Sequence, residues 1–253
     1  MTNKIAILNF KGGVGKTTTA INLSAALARK KKNVLLVDLD SQCSSTFVLG
    51  YKIGDGKTVY DALMDENMET SLPVYSYQDC FDFVPASIML RDASALLTPR
   101  LRKEEILKVL LTEVEKDYDY IILDCPPGDG LINMNAMCAV SDLIVPTDGD
   151  ELTAQGINAL LARVNQVKKQ VNPSLNVLGF IFTKFEGNTR LHRDNLREMR
   201  EEFPNQIFNS IIHKNIKLKE SPREHLTIFD YAPQSVGAED YMHMAEELDE
   251  IYN

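Results

Sequence analysis

The chain has 253 residues, 44% of them hydrophobic and 25% charged, which is ample for one continuous buried core and excludes a disordered or fibrous protein. Its 27 basic and 36 acidic residues leave a net charge of −9, which excludes a protein that coats nucleic acid or membrane with its whole surface; such contact must come from a local patch. Four cysteines (Cys43, Cys80, Cys125, Cys138) without CxxC spacing, and no apolar run of membrane-spanning length, point to a reduced, cytoplasmic setting rather than a disulfide or zinc framework.

Short apolar runs alternate with amphipathic stretches along the whole chain. The sequence predicts strands at Lys4–Phe10, Asn33–Asp40, Phe81–Pro85, Tyr118–Asp124, Asp142–Thr147, Asn176–Thr183 and Phe208–Ile212. Several are nearly unbroken Val, Ile and Leu, as suits strands of a parallel sheet covered on both faces. Helices are predicted at Lys16–Lys31, Arg102–Lys116, Leu152–Val171, Arg190–Phe203 and Val236–Ile251; in the second, Ile106, Leu110 and Val114 form a stripe at four-residue spacing. Between Tyr51 and Tyr77 the pattern is weak, with only a short helix over Val59–Met64. The alternation implies an α/β fold, a doubly wound and mostly parallel sheet with helices on both faces. Without a linker or repeat, residues 1–253 read as a single domain.

The run Lys11-Gly12-Gly13-Val14-Gly15-Lys16-Thr17-Thr18 joins the first strand to the first helix. A helix start offers free N–H groups and a positive dipole end, and glycines let those groups curl round one phosphate cluster. Lys16 is placed to reach β- and γ-phosphate oxygens and Thr17 to ligate Mg²⁺. Phe10 stands where the plain phosphate-loop pattern has its first glycine, and Lys11 adds a second lysine. Aspartates gather at the same sheet edge: Asp38 and Asp40, two residues apart and expected on one strand face, and Asp124 after four apolar residues.

Lys11–Thr18 resembles the deviant Walker A motif of the ParA/MinD ATPases. Val34–Ser45 resembles that family's second box, Ile121–Gly128 its Walker B region, and Gly179–Arg190, Asn215–Pro222 and Gly237–Glu239 late segments of the partition ParA proteins. The resemblance implies a P-loop ATPase with ATP and Mg²⁺ as cofactors. It implies a homodimer when ATP is bound, with Lys11 crossing to the partner's nucleotide and Gly12 at a close backbone approach. Gly13, Val14, Gly15, Lys16, Thr17 and Thr18 would cradle phosphate; Asp40 would place the attacking water, and Asp38 and Asp124 would help hold Mg²⁺, partly through water. Thr183 and the loop after Ile212 would meet the adenine.

Serine stands at position 41 where the family usually has proline, which frees that loop. His213 also replaces a frequent proline and is assigned no catalytic role. Between Lys184 and Arg223 nine basic residues face six acidic ones, and Arg190, Arg193, Arg197 and Arg200 recur at helical spacing. By resemblance, Arg190 and Lys217 would touch the phosphates of nonspecific double-stranded DNA, the protein would associate with the nucleoid, and a ParB-like partner would stimulate hydrolysis. The implied function is partition of plasmid or chromosome DNA. The alternatives are a MinD-like positioning ATPase or a nucleotide-switched binding protein with little hydrolysis. Ala238–Asn253 carries six acids and no Lys or Arg, unlike a basic membrane-binding helix, so no membrane partner is expected. An iron–sulfur reductase is disfavoured because cluster ligands are not evident and Cys125 and Cys138 read as apolar filling.

Overall fold

The computed structural model describes residues 2–52, 54–148 and 154–252. In chain order the elements are β1 (Asn3–Ile7), α1 (Lys16–Arg29), β2 (Val34–Asp38), α2 (Ser44–Val48), α3 (Val59–Met64), β3 (Tyr75–Gln78), β4 (Phe81–Val84), α4 (Leu90–Leu97), α5 (Ile106–Val114) and β5 (Tyr120–Asp124). There follow α6 (Leu131–Ala139), β6 (Asp142–Asp148), α7 (Ala154–Gln170), β7 (Asn176–Phe185), α8 (Arg190–Glu202), β8 (Ile207–His213), α9 (Lys217–Glu220), α10 (Ile228–Tyr231) and α11 (Val236–Tyr252).

The eight strands form one sheet in the order β3-β4-β2-β5-β1-β6-β7-β8, with β3 antiparallel to β4 and the other pairs parallel. Alternation along each strand divides the core in two. Ile5 and Ile7, Val34 and Leu36, and Ile122 pack with α1, α10 and α11 on one face. Ala6, Leu35 and Val37, and Ile121 and Leu123 pack with α3 to α8 on the other. A strand buried on both faces has no polar side to show, which is why these runs read as continuous apolar sequence.

The register brings the site together. Asp38 of β2 and Ile7 of β1 both pair with Asp124 of β5. The carboxyl ends of three adjacent strands therefore meet at the loop that follows β1, the edge where such sheets bind ligands.

Several expected boundaries move. Helix α1 stops at Arg29 because Lys31 adopts a left-handed conformation (φ 63°). Helix α5 begins at Ile106 rather than Arg102, since Arg102 is also left-handed (φ 51°) and its carbonyl accepts the Glu105 N–H in a turn. The predicted start at Leu152 of the helix corresponding to α7 lies outside the described residues. Strand β3 was not expected: Tyr75–Gln78 alternates half-buried and exposed side chains on the sheet edge, a pattern weaker than the buried strands give. The short helix α3 falls where expected, held by a Thr58–Asp61 capping box.

Candidate active site

The phosphate loop leaves β1 and enters α1 through glycines in positive-φ conformations, Gly13 at 78° and Gly15 at 85°; a side chain at either would be strained. Gly15 is the N-terminal cap of α1 and offers no side chain to the first turn, so the free N–H groups remain for a ligand. Lys16 is 7% exposed, and its Nζ donates to the Lys11 carbonyl at 2.8 Å, folding the side chain back over the loop. Burial lowers the Lys16 pKa, opposed chiefly by the charge of Asp124. An ammonium held in such a place gains most when anionic oxygens replace the carbonyl. Lys11 reaches the Asp148 carboxylate at 3.2 Å, with its side chain still 38% exposed. Gly12 is exposed, and a Cβ there would meet only Pro127 Cβ, at 4.0 Å.

Asp38 and Asp124 are buried side by side at the strand ends. Asp38 Oδ2 accepts the Thr46 N–H at 2.8 Å and the Thr46 hydroxyl at 2.7 Å, while Oδ1 accepts the Asp40 N–H at 3.0 Å. Asp124 Oδ2 accepts the Ser45 hydroxyl at 2.7 Å; its Oδ1 is buried without a hydrogen-bond partner. Desolvation raises both carboxyl pKa values, and for Asp124 the neighbouring Asp38 charge adds to the effect. The expectation that Asp38 and Asp40 share a strand face fails. Strand β2 ends at Asp38, and Asp40 sits in a turn, half-buried, with its Oδ1 accepting the Gln42 N–H at 2.9 Å.

The orphaned Asp124 Oδ1, together with the Thr17 hydroxyl that helps hold this carboxyl's pKa down, fits a hard divalent cation. Among the described residues no three His, Cys, Asp or Glu side chains form a cage that could hold a metal by themselves. That suits Mg²⁺, which takes one or two carboxylates and completes its shell with phosphates and water. Cys125 is buried beside Asp124 with its thiol pKa pushed well up by desolvation, as an inert filler should be.

Thr183 comes from β7, buried, and its hydroxyl lies 2.9 Å from the Val14 carbonyl and 3.2 Å from that of Thr147. It fastens the phosphate loop to β6 and β7, and it also lines an apolar pocket beside Gly15 and Thr18. Lys184 donates to the Gly13 carbonyl from the same strand. The basic segment is open. Arg190 is paired with Asp194 at 3.3 Å and Lys217 with Glu220 at 2.8 Å, and both cations are exposed. Arg29, Lys30 and Lys32, expected to complement the end of α1, reach Asp230 and Asp249 instead.

Sequence reasoning missed Ser45 and Thr46, which hold the two buried carboxylates, and Asp148, which faces Lys11. The Ser-Ser-Thr run at the start of α2, just after the aspartate pair, was the available signal.

A family model described as an AAA domain matches residues 2–177. The sporulation initiation inhibitor protein Soj of Bacillus subtilis (strain 168) is 38% identical over 245 residues, covering 96% of this chain and 97% of that protein. The chromosome-partitioning ATPase Soj of Treponema pallidum (strain Nichols) is 36% identical over 249 residues, covering 98% and 97%. Cobyrinic acid a,c-diamide synthase from Mycobacterium smegmatis, solved with bound ADP and magnesium, superposes with a TM-score of 0.84 at 31% identity over 97% of this chain and 93% of that one. No described helix is long and apolar enough to cross a membrane. Sharing a third or more of its residues with two Soj proteins from end to end, the chain belongs to the ParA/Soj-type P-loop ATPases, with ATP and Mg²⁺ as cofactors.

Proposed function

We propose that this ATPase partitions chromosome or plasmid DNA by dimerising on ATP, binding DNA without sequence preference in that state, and returning to a weakly bound form on hydrolysis. The observation that carries the reading is the rim of the phosphate loop. Lys11 stands there half-exposed, next to a Gly12 that no atom of its own chain covers closely. A second copy can approach that backbone, and Lys11 can exchange Asp148 for the neighbour's triphosphate. Each subunit then lends a cation to the other's ligand, so phosphate charge contributes to dimer affinity. ADP, lacking the γ-phosphate, supports the pair poorly.

Within one subunit, N–H groups from Gly13 to Thr18 cradle the phosphates, and Lys16 transfers its hydrogen bond from the Lys11 carbonyl to the β- and γ-oxygens. Thr17 and Asp124 would hold Mg²⁺, with Asp38 and Asp40 contributing through water. When bound, the ion neutralises charge on the phosphate oxygens. Asp40 stands clear of the buried pair and orients the attacking water toward the γ-phosphorus. Asp38, saturated by Thr46 and the Asp40 N–H, keeps the turn that carries Asp40 in place.

Arg190 and Lys217 meet DNA phosphate. Exposed ion pairs such as theirs are worth at most about 1 kcal/mol, so phosphate displaces the neighbouring acid at little cost. A dimer doubles the contacts and steepens the salt dependence. A ParB-like partner stimulates hydrolysis, and the DNA-bound state concentrates the protein on the nucleoid. The test is DNA binding against salt with ADP, ATP and a slow analogue, beside a liposome control. Binding that requires ATP or the analogue, weakens with salt and spares liposomes supports the reading; equal DNA binding in all nucleotide states overturns it.

A further inference from the structure

The pocket beside the phosphate loop is lined by Gly15 and Thr18 on one side and by Ile212, Leu218 and Tyr241 on the other. Gly15 and Thr18 flank Lys16 and Thr17. A nucleotide whose phosphates lie on the loop therefore has an apolar space next to it for its base. One polar side chain in that wall is held in a fixed way: His213, at the end of β8. Its ring Nδ1 lies 3.1 Å from both oxygens of Asp240 on α11, and its backbone N–H donates to Asp240 Oδ2 at 2.8 Å. The Phe185 ring meets the imidazole edge-on, with centroids 6.0 Å apart.

We propose that His213, oriented by Asp240, selects adenine over guanine in this pocket. The inference rests on the ATPase reading and goes beyond it. An ionised carboxylate only accepts hydrogen bonds, so Nδ1 carries the ring proton and Nε2 is left as a bare acceptor. Adenine carries an amino donor at the position where guanine carries a carbonyl acceptor. A bare Nε2 in the pocket wall pairs with the first and opposes the second. Asp240 acts through His213 and is a positioning residue. Other charged groups lining the pocket are Lys184 from β7, Lys214 from β8 and Lys219 from α9. Lys184 is bonded to the Gly13 carbonyl and Lys214 to Glu186 at 2.7 Å, so Asp240 is the acid in direct contact with the ring.

The test is equilibrium binding of nonhydrolysable ATP and GTP analogues by calorimetry. Wild type should prefer the ATP analogue, and His213→Ala should reduce that preference about tenfold, mainly by weakening ATP, as loss of one hydrogen bond to a base does. Asp240→Asn should act in the same direction: its amide N–H₂ turns to Nδ1, moves the ring proton to Nε2 and makes that atom a donor. Acidification that protonates the ring should shrink the preference of wild type and leave that of His213→Ala unchanged. An ATP-to-GTP ratio that stays the same in His213→Ala overturns the proposal even if Asp240→Asn fails to fold. Failure of wild type to bind either analogue would instead overturn the ATPase reading on which the proposal rests.

Discussion

The carboxylate cleft and the basic segment contain charges in opposite environments. In the cleft, Asp38 and Asp124 are 1% and 0% exposed, and hydroxyls of Ser45 and Thr46 on one short helix hold them. Between Lys184 and Arg223 the cations are exposed, and Arg190 and Lys217 each pair with an acid within four residues on the same helix. Charges of the first kind are costly to bury and are fixed in advance of the ligand, so a small chemical change there has a large effect. Those of the second kind are screened and replaceable, and act by number rather than by position. Function in the cleft should therefore be lost one residue at a time, whereas function on the surface should decline in steps.

The strongest way to break that contrast is Lys16→Ala. Removing a buried ammonium aimed at the phosphates should weaken ATP binding on the order of a thousandfold, about 4 kcal/mol, and leave no measurable turnover. Retention of wild-type affinity by calorimetry would falsify the assignment of the loop. Next is Asp40→Ala, which should lower turnover about 100-fold while nucleotide binding survives, because Asp40 lies outside the buried pair. Single-turnover hydrolysis measures it, and an unchanged rate removes Asp40 from the mechanism.

Thr46→Val tests the tether itself. The Thr46 hydroxyl donates to Asp38 and accepts the Ala86 N–H at 2.8 Å, so valine leaves two buried groups short of a partner. The expected cost is about 2 kcal/mol, read as a fall of roughly 4–8 °C in Tm for a chain of this size. A smaller effect follows from the raised carboxyl pKa values. The folded apo protein holds these protons more tightly than the unfolded chain, so its stability should rise as pH is lowered from about 8 toward 6. Asp124→Asn should flatten that dependence in thermal unfolding; a slope equal to wild type would place its origin elsewhere.

The same contrast explains what the sequence could reveal. Lys11 to Thr18 are consecutive, so the phosphate loop's chemistry is written in one local run, and Asp124 is marked by the apolar strand before it. The sheet is legible for a similar reason: strands buried on both faces carry no competing pattern. Contacts that join distant segments leave no such trace. Ser45 meets Asp124 across 79 residues, Lys11 meets Asp148 across 137, and His213 meets Asp240 across 27. Asp38 and Asp40 misled because strand periodicity was carried past the last ladder pair, where the chain had already turned.

The basic segment gives the smallest effect and the sharpest test of the contrast. Arg190 is 89% exposed in its side chain and paired with Asp194. Arg190→Glu should therefore leave folding and ATP-dependent dimerisation as they are. DNA affinity should fall about three- to tenfold at moderate salt, and the slope of log K against log salt should drop by roughly one for each subunit, as one phosphate contact is lost. If the affinity does not move, α8 is a solvated ion-paired face and the DNA contacts lie elsewhere. Should one such reversal abolish binding outright, the surface would be acting by position as the cleft does, and the distinction between the two regions would fail.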